Sequence, residues 1–154
     1  MKEETDSAEW QAIDLFSQIS MVDRRILNIK DRNLKSILGL SYTQSTAILC
    51  LSVCGEISLA QLANHLGCDA GAVSRLVERM RTKSLLDRYS DLDDRRSQLL
   101  RLTAEGSEKL IEIRRILMAV DEAVLSGLSD EDRGNVFEFL SRIHERDAGM
   151  IKEG

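Results

Sequence analysis

The chain has 154 residues, enough for one domain with a real core and too few for two comfortable ones. Its residues are 43% apolar, 31% charged and 4% aromatic, with no proline, which favours helices in an ordinary water-soluble chain. The formal charge of −5 taken by itself argues against a nucleic-acid partner, and no apolar run approaches the roughly 18 residues of a membrane span.

From Trp10 to Ile29 the residues Trp10, Ile13, Phe16, Ile19, Val22, Ile26 and Ile29 recur every three or four positions. That spacing predicts one long helix with a single apolar stripe. Ser41 with Gln44 three positions on is a capping box, so a helix from about Tyr42 to Ser52 follows. Ser58 and Gln61 repeat the signal, and that helix carries Leu59, Leu62, Ala63 and Leu66 on one side before Gly67 ends it. Asp69 caps the next helix, DAGAVSRLVERMRTKS, whose buried set is Val73, Leu76, Val77 and Met80. Two short helices about three residues apart around a glycine form a helix-turn-helix pattern, although a generic helical hairpin shares that spacing.

LLDRYS and SQLLRLT are segments of strand length joined by a polar reversal, which predicts a β-hairpin. Thr103 caps a helix running to Leu128, with Leu110, Ile113, Leu117, Val120, Val124 and Leu128 as its stripe and Ile111, Ile116 and Met118 widening it. Ser129 with Asp132, an acidic capping box, opens a last helix whose apolar side is Val136, Phe139, Leu140 and Ile143. A hairpin directly after a helix-turn-helix is a wing. The expected fold class is therefore mainly α (α+β), a winged helix-turn-helix flanked by N- and C-terminal helices.

Charge is distributed unevenly. Residues 58–103 hold eight Lys/Arg against six Asp/Glu, a balance of +2, whereas the remainder holds thirteen against twenty, a balance of −7. A local basic face sets the near field more than the total does, so the middle is the expected interaction surface. The acidic start MKEETDSAEW lacks an apolar signal core, and three cysteines show no disulfide pattern. A cytoplasmic location without a membrane partner is the resulting expectation.

The segments LSYTQSTAIL, SLAQLANHLGCDAGAVSRLVERMRTKSLLDR and DLDDRRSQLLRLTAEG resemble the MarR-type transcriptional regulators, a family of winged-helix proteins. The resemblance runs from about Leu40 to Arg146 and is sharpest at the Asp-Arg-Arg of the wing with its following Leu-Thr and Glu-Gly. Two positions depart from the family: Ser84 stands where a glycine usually follows lysine, and Leu92 where a proline is common. The resemblance implies a single domain over 1–154, with a DNA-binding part at about 40–103 and dimerisation helices at about 8–30 and 104–147. It also implies a homodimer and a small, often anionic or phenolic effector, bound between the dimer helices and the winged helix. The apolar stripes support a partner surface independently, because one small core cannot cover all of them.

In a helix-turn-helix the second helix enters the major groove with its N-terminal residues at the base edges. Asp69, Ala70, Gly71, Ala72, Ser74 and Arg75 occupy that end. Small residues at 70–72 allow close backbone approach, Arg75 has the reach to bind guanine with two bonds, and Ser74 can donate or accept. Arg79, one turn on, suits a phosphate. Arg81 and Lys83 read as a solvated helix face near a C-terminus, where cations suit the dipole. A wing entering a minor groove needs a cation. The resemblance assigns that role to Arg96, held ready by Asp94, with Arg95 nearer the phosphates. An exposed ion-pair turn is the plainer alternative, and a calcium loop lacks its glycine and distal glutamate. A pseudo-palindromic double-stranded DNA site, with half-sites about one turn of 10 bp apart, is expected, and the resemblance implies a repressor.

Rival readings remain open. Cys50 and Cys54 stand at i and i+4, with His65 and Cys68 following, so four soft ligands are available; without a C-x-x-C knuckle, cysteine in an apolar helix reads first as a small buried hydrophobe. No metal and no cofactor is assigned. Cys68, in the interhelical turn, is the candidate for a redox-sensing regulator. A winged helix that binds protein instead of DNA is the other class, kept open by the acidic ends. No catalytic residues are assigned and no enzyme is expected: His65 and His144 lie in separate helices, with no nucleophile motif or phosphate loop.

Overall fold

The computed structural model describes residues 2–90 and 98–150, with side chains described over 14–89 and 98–144. The elements are α1 (Lys2–Leu38), α2 (Tyr42–Cys54), β1 (Ile57–Ser58), α3 (Leu59–Leu66), α4 (Ala70–Thr82), β2 (Leu86–Ser90), β3 (Gln98–Leu102), α5 (Ala104–Leu125) and α6 (Asp130–Met150). The chain forms two compact units, Met1–Val120 and Asp121–Gly154. Among the described residues, no single helix is long and apolar enough to cross a membrane.

The caps form as the residues dictate. Gln44 N donates to Ser41 Oγ at 3.2 Å and Ser41 N donates to Gln44 Oε1 at 3.0 Å. The pair Ser58 and Gln61 repeats this at 3.2 and 2.8 Å. Gly67, at φ 61°, ends α3 in the left-handed conformation, and Asp69 Oδ1 accepts from Ala72 N at 2.9 Å to start α4. The helix-turn-helix is thus fixed at both sides of its turn by local chemistry.

Its core is the one expected, with additions. Leu62, Ala63, Val73, Leu76, Val77 and Met80 are buried together with Leu34, Leu40, Ala47, Ile48, Leu51, Ile57, Leu85, Leu86, Leu100, Ile113 and Ile116. Leu59 and Leu66 pack at the edge of that cluster. The sheet is antiparallel in the order β1-β3-β2, with Ile57 opposite Leu100 and Leu86 opposite Leu102. β1 is not anticipated by the sequence pattern: two residues are too short to show a period, and only pairing with β3 makes them a strand.

The sequence pattern under-reads α1, which continues past Ile29 through Leu38. The stripe breaks there because the helix changes partner: Leu34 is fully buried in the winged-helix core. α5 ends at Leu125, one turn before the expected Leu128, with Leu128 N donating to Leu125 O at 3.0 Å. In the second unit, Ser129 Oγ donates to Asp132 Oδ2 at 2.6 Å and accepts from Asp132 N at 3.1 Å, the acidic capping box expected. Arg133 there donates to Leu125 O at 3.0 Å.

The joint where wing meets α5 is tight. Thr103 Oγ1 donates to Ser84 O at 2.6 Å and accepts from Gly106 N at 3.0 Å, while Thr103 N donates to Leu85 O at 3.2 Å. A Cβ on Gly106 would lie 2.0 Å from Leu85 O, so only glycine fits. Ser84 has φ 56°, a left-handed value that a glycine would adopt without cost.

Candidate nucleic-acid interface

α4 divides cleanly into an inner and an outer side. Val73, Leu76, Val77 and Met80 are buried, whereas Asp69, Ala70, Gly71, Arg75 and Arg79 are exposed and Ala72 and Ser74 are half-buried. The exposed side begins at the helix N-terminus, where unpaired N–H groups and the dipole favour an anion. A Cβ on Gly71 would lie 3.1 Å from Asp69 Oδ1 and 3.6 Å from Arg75 Nη1. The Arg75 guanidinium therefore lies along the first turn of α4, across the space that the missing side chain leaves.

The two basic residues read as solvated are partly otherwise. Arg81 pairs with Glu78 at 3.0 Å on the exposed face, an ordinary surface ion pair worth below about 1 kcal/mol. Lys83 is not merely solvated: its Nζ donates to Gly39 O at 2.6 Å, tying the end of α4 to the end of α1. With Lys35, Ser41, Gln44, Arg79 and Thr82 they line an open cleft of about 540 Å³. Three of its lining residues are cationic and none is acidic, although Lys35 also pairs with Asp31 at 2.6 Å. The sequence pattern does not reveal this cleft, because the apolar stripe of α1 stops at Ile29, short of Lys35. The signal that could have found it is Asp31 with Lys35, an i,i+4 pair that prolongs the helix.

Asp31 also accepts from Tyr42 N at 2.8 Å, so it serves the start of α2 as well as Lys35. The hydrogen bond from Lys35 first, and that from Tyr42 N second, hold its carboxyl below the ordinary carboxylate value.

The wing strands pair from Leu86↔Leu102 to Ser90↔Gln98. Arg101 stacks on Tyr89 with its guanidinium carbon 4.8 Å from the ring centroid, a cation–π contact that gives the wing's stem an ordered cation. Asp94, Arg95 and Arg96 lie outside the described residues, within 91–97.

Comparison with known proteins agrees with this arrangement. The MarR family profile matches residues 40–98. The multiple antibiotic resistance protein MarR of Salmonella typhimurium is 31% identical over 100 residues, covering 61% of this chain and 69% of that protein. The uncharacterized HTH-type transcriptional regulator YwoH of Bacillus subtilis is 27% identical over 129 residues, covering 84% of this chain and 92% of that one. Among solved structures, a mutant MarR from E. coli complexed with operator DNA superposes with a TM-score of 0.78 at 20% identity, covering 86% of this chain and 95% of that one. At that identity the likeness is one of fold.

Proposed function

Since the chain belongs to the MarR family, we propose that it regulates transcription as a homodimer on a pseudo-palindromic double-stranded DNA site. The observation that carries this reading is the outer side of α4, where small residues and an arginine occupy an exposed helix N-terminus behind a capped turn. Asp69, Ala70, Gly71, Ala72, Ser74 and Arg75 face the base edges, and Arg79 takes a phosphate. That a MarR of the same fold was solved complexed with operator DNA supports DNA as the partner. Residues of about 40–103 form the DNA-binding part, and α1, α5 and α6 supply the dimer surface. Phe16 and Val22 on α1 are 54% and 52% exposed, and Val136 and Phe139 on α6 are 49% and 41% exposed. These apolar residues need a cover, and a second copy supplies one.

Release by a small acidic effector completes the reading, with the cationic cleft at Lys35, Arg79 and Lys83 as its place. Such a compound would bind where the ends of α1 and α4 meet, and would act on α4 directly. Repression is the sign of regulation that follows if the bound protein occludes a promoter.

Selection of bound sites from random duplex DNA tests the core of this proposal. A recovered sequence with twofold symmetry is expected, and Arg75→Ala should relax preference at one position in each half-site, losing about 1–3 kcal/mol of discrimination there. Failure to enrich any sequence, with no salt-sensitive binding to duplex, would instead favour a protein-binding winged helix.

A further inference from the structure

Among the described residues, one group of three soft ligands converges. The sulfurs of Cys50 and Cys54 and a ring nitrogen of His65 all lie within 4.8 Å of one another, and Cys54 Sγ stands 3.7 Å from His65 Nε2. Cys54 and His65 are exposed and Cys50 is half-buried. The expectation of small buried hydrophobes therefore does not describe Cys54. Cys68, the fourth soft residue in the sequence, stays outside the group and donates instead to Leu66 O at 3.4 Å.

From this convergence we propose that Cys50, Cys54 and His65 form a zinc(II) site that joins the C-terminal ends of α2 and α3, with water in the fourth position. Zinc–sulfur bonds of about 2.3 Å and zinc–nitrogen bonds of about 2.0–2.1 Å place tetrahedral ligands roughly 3.5–3.8 Å apart. The Cys54–His65 separation already has that value, and the remaining ones need shifts of at most about 1.3 Å to reach it.

Three features favour a cation here. Cys50 and Cys54 are one helical turn apart, so both sulfurs leave α2 on the same face. Cys54 is the last residue of α2 and His65 stands in the last turn of α3, so the negative ends of two helix dipoles meet at the group. Two thiolates and an imidazole are also the donor set that a thiophilic divalent ion prefers over magnesium or calcium.

Binding as two thiolates releases the two thiol protons to solvent, and Zn²⁺, two thiolates and a neutral imidazole together carry no net charge. His65 stands just before the turn into α4, and a bound ion would fix α3 against α2 where that turn begins.

Cobalt(II) titration of the full chain, freed of metal and kept reduced, tests this directly. One equivalent of cobalt per chain should produce thiolate-to-metal charge-transfer absorption with the visible bands of a tetrahedral ion, and zinc should abolish both. Cys54→Ser and His65→Ala, at exposed positions, should each weaken cobalt binding at least tenfold with circular dichroism unchanged, while Cys68→Ser should bind as the parent does. No charge-transfer absorption in the reduced parent would overturn the proposal. So would a spectrum that survives both Cys54→Ser and His65→Ala, or one that only Cys68→Ser removes. None of these outcomes depends on DNA binding.

Discussion

Ser84 holds a left-handed φ of 56° directly after α4, the position where the family usually has glycine. A residue with a Cβ costs about 1–2 kcal/mol in that conformation, partly offset by glycine's greater freedom when unfolded. Ser84→Gly should therefore stabilise the protein by a few tenths to about 1 kcal/mol; urea unfolding would show a higher midpoint with an unchanged slope. Asp31 makes a second prediction. Its folded-state value lies below the ordinary 3.8 because Lys35 and Tyr42 N bind the charged form. A depressed carboxyl stabilises the fold above its unfolded value and loses that contribution as pH falls through the folded one. Stability should thus decline below pH about 4, and Asp31→Asn should show a shallower decline there, read from thermal midpoints across an acid series. The sequence names both residues without revealing either role. A φ angle depends on how the chain leaves α4 for β2, and Asp31 meets Tyr42 only across the α1–α2 turn.

At the scale of elements, the caps and the buried faces were readable and the meeting points were not. Ser41 with Gln44, Ser58 with Gln61, Asp69, Thr103 and Ser129 with Asp132 are local signals, since cap and partner stand three residues apart. Val73, Leu76, Val77 and Met80 follow from helical period alone. β1, the cleft at Lys35 and Lys83, and the grouping of Cys54 with His65 each join residues from separate elements, where period says nothing. The stem of the wing is paired up to Ser90 and Gln98, with Arg101 stacked on Tyr89, and the resemblance to the family assigns the groove-entering cation beyond it to Arg96. Arg96→Ala should weaken binding to the selected duplex and flatten its salt dependence by about one phosphate equivalent. Fluorescence anisotropy across a salt series measures both, and an unchanged affinity would remove the wing from the reading.

For the molecule as a whole, the exposed stripes on α1 and α6 set the expectation. A dimer that covers Val22 and Phe139 should sediment at twice the chain mass and unfold at a temperature that rises with protein concentration. Val22→Asp should shift the mass toward one chain, measured by analytical ultracentrifugation. A parent that sediments as one chain at every concentration would end the twofold account. The seam at Gly106 bears on how such a pair would adjust. With Leu85 O against the first turn of α5 and Thr103 bonded to both sides, the residues that leave α4 are tied directly to the start of the long helix. If the chain pairs as proposed, a change imposed on the first turns of α5 would be felt at the end of α4 through that joint, so a compound that alters the spacing of the two copies need not touch α4 itself.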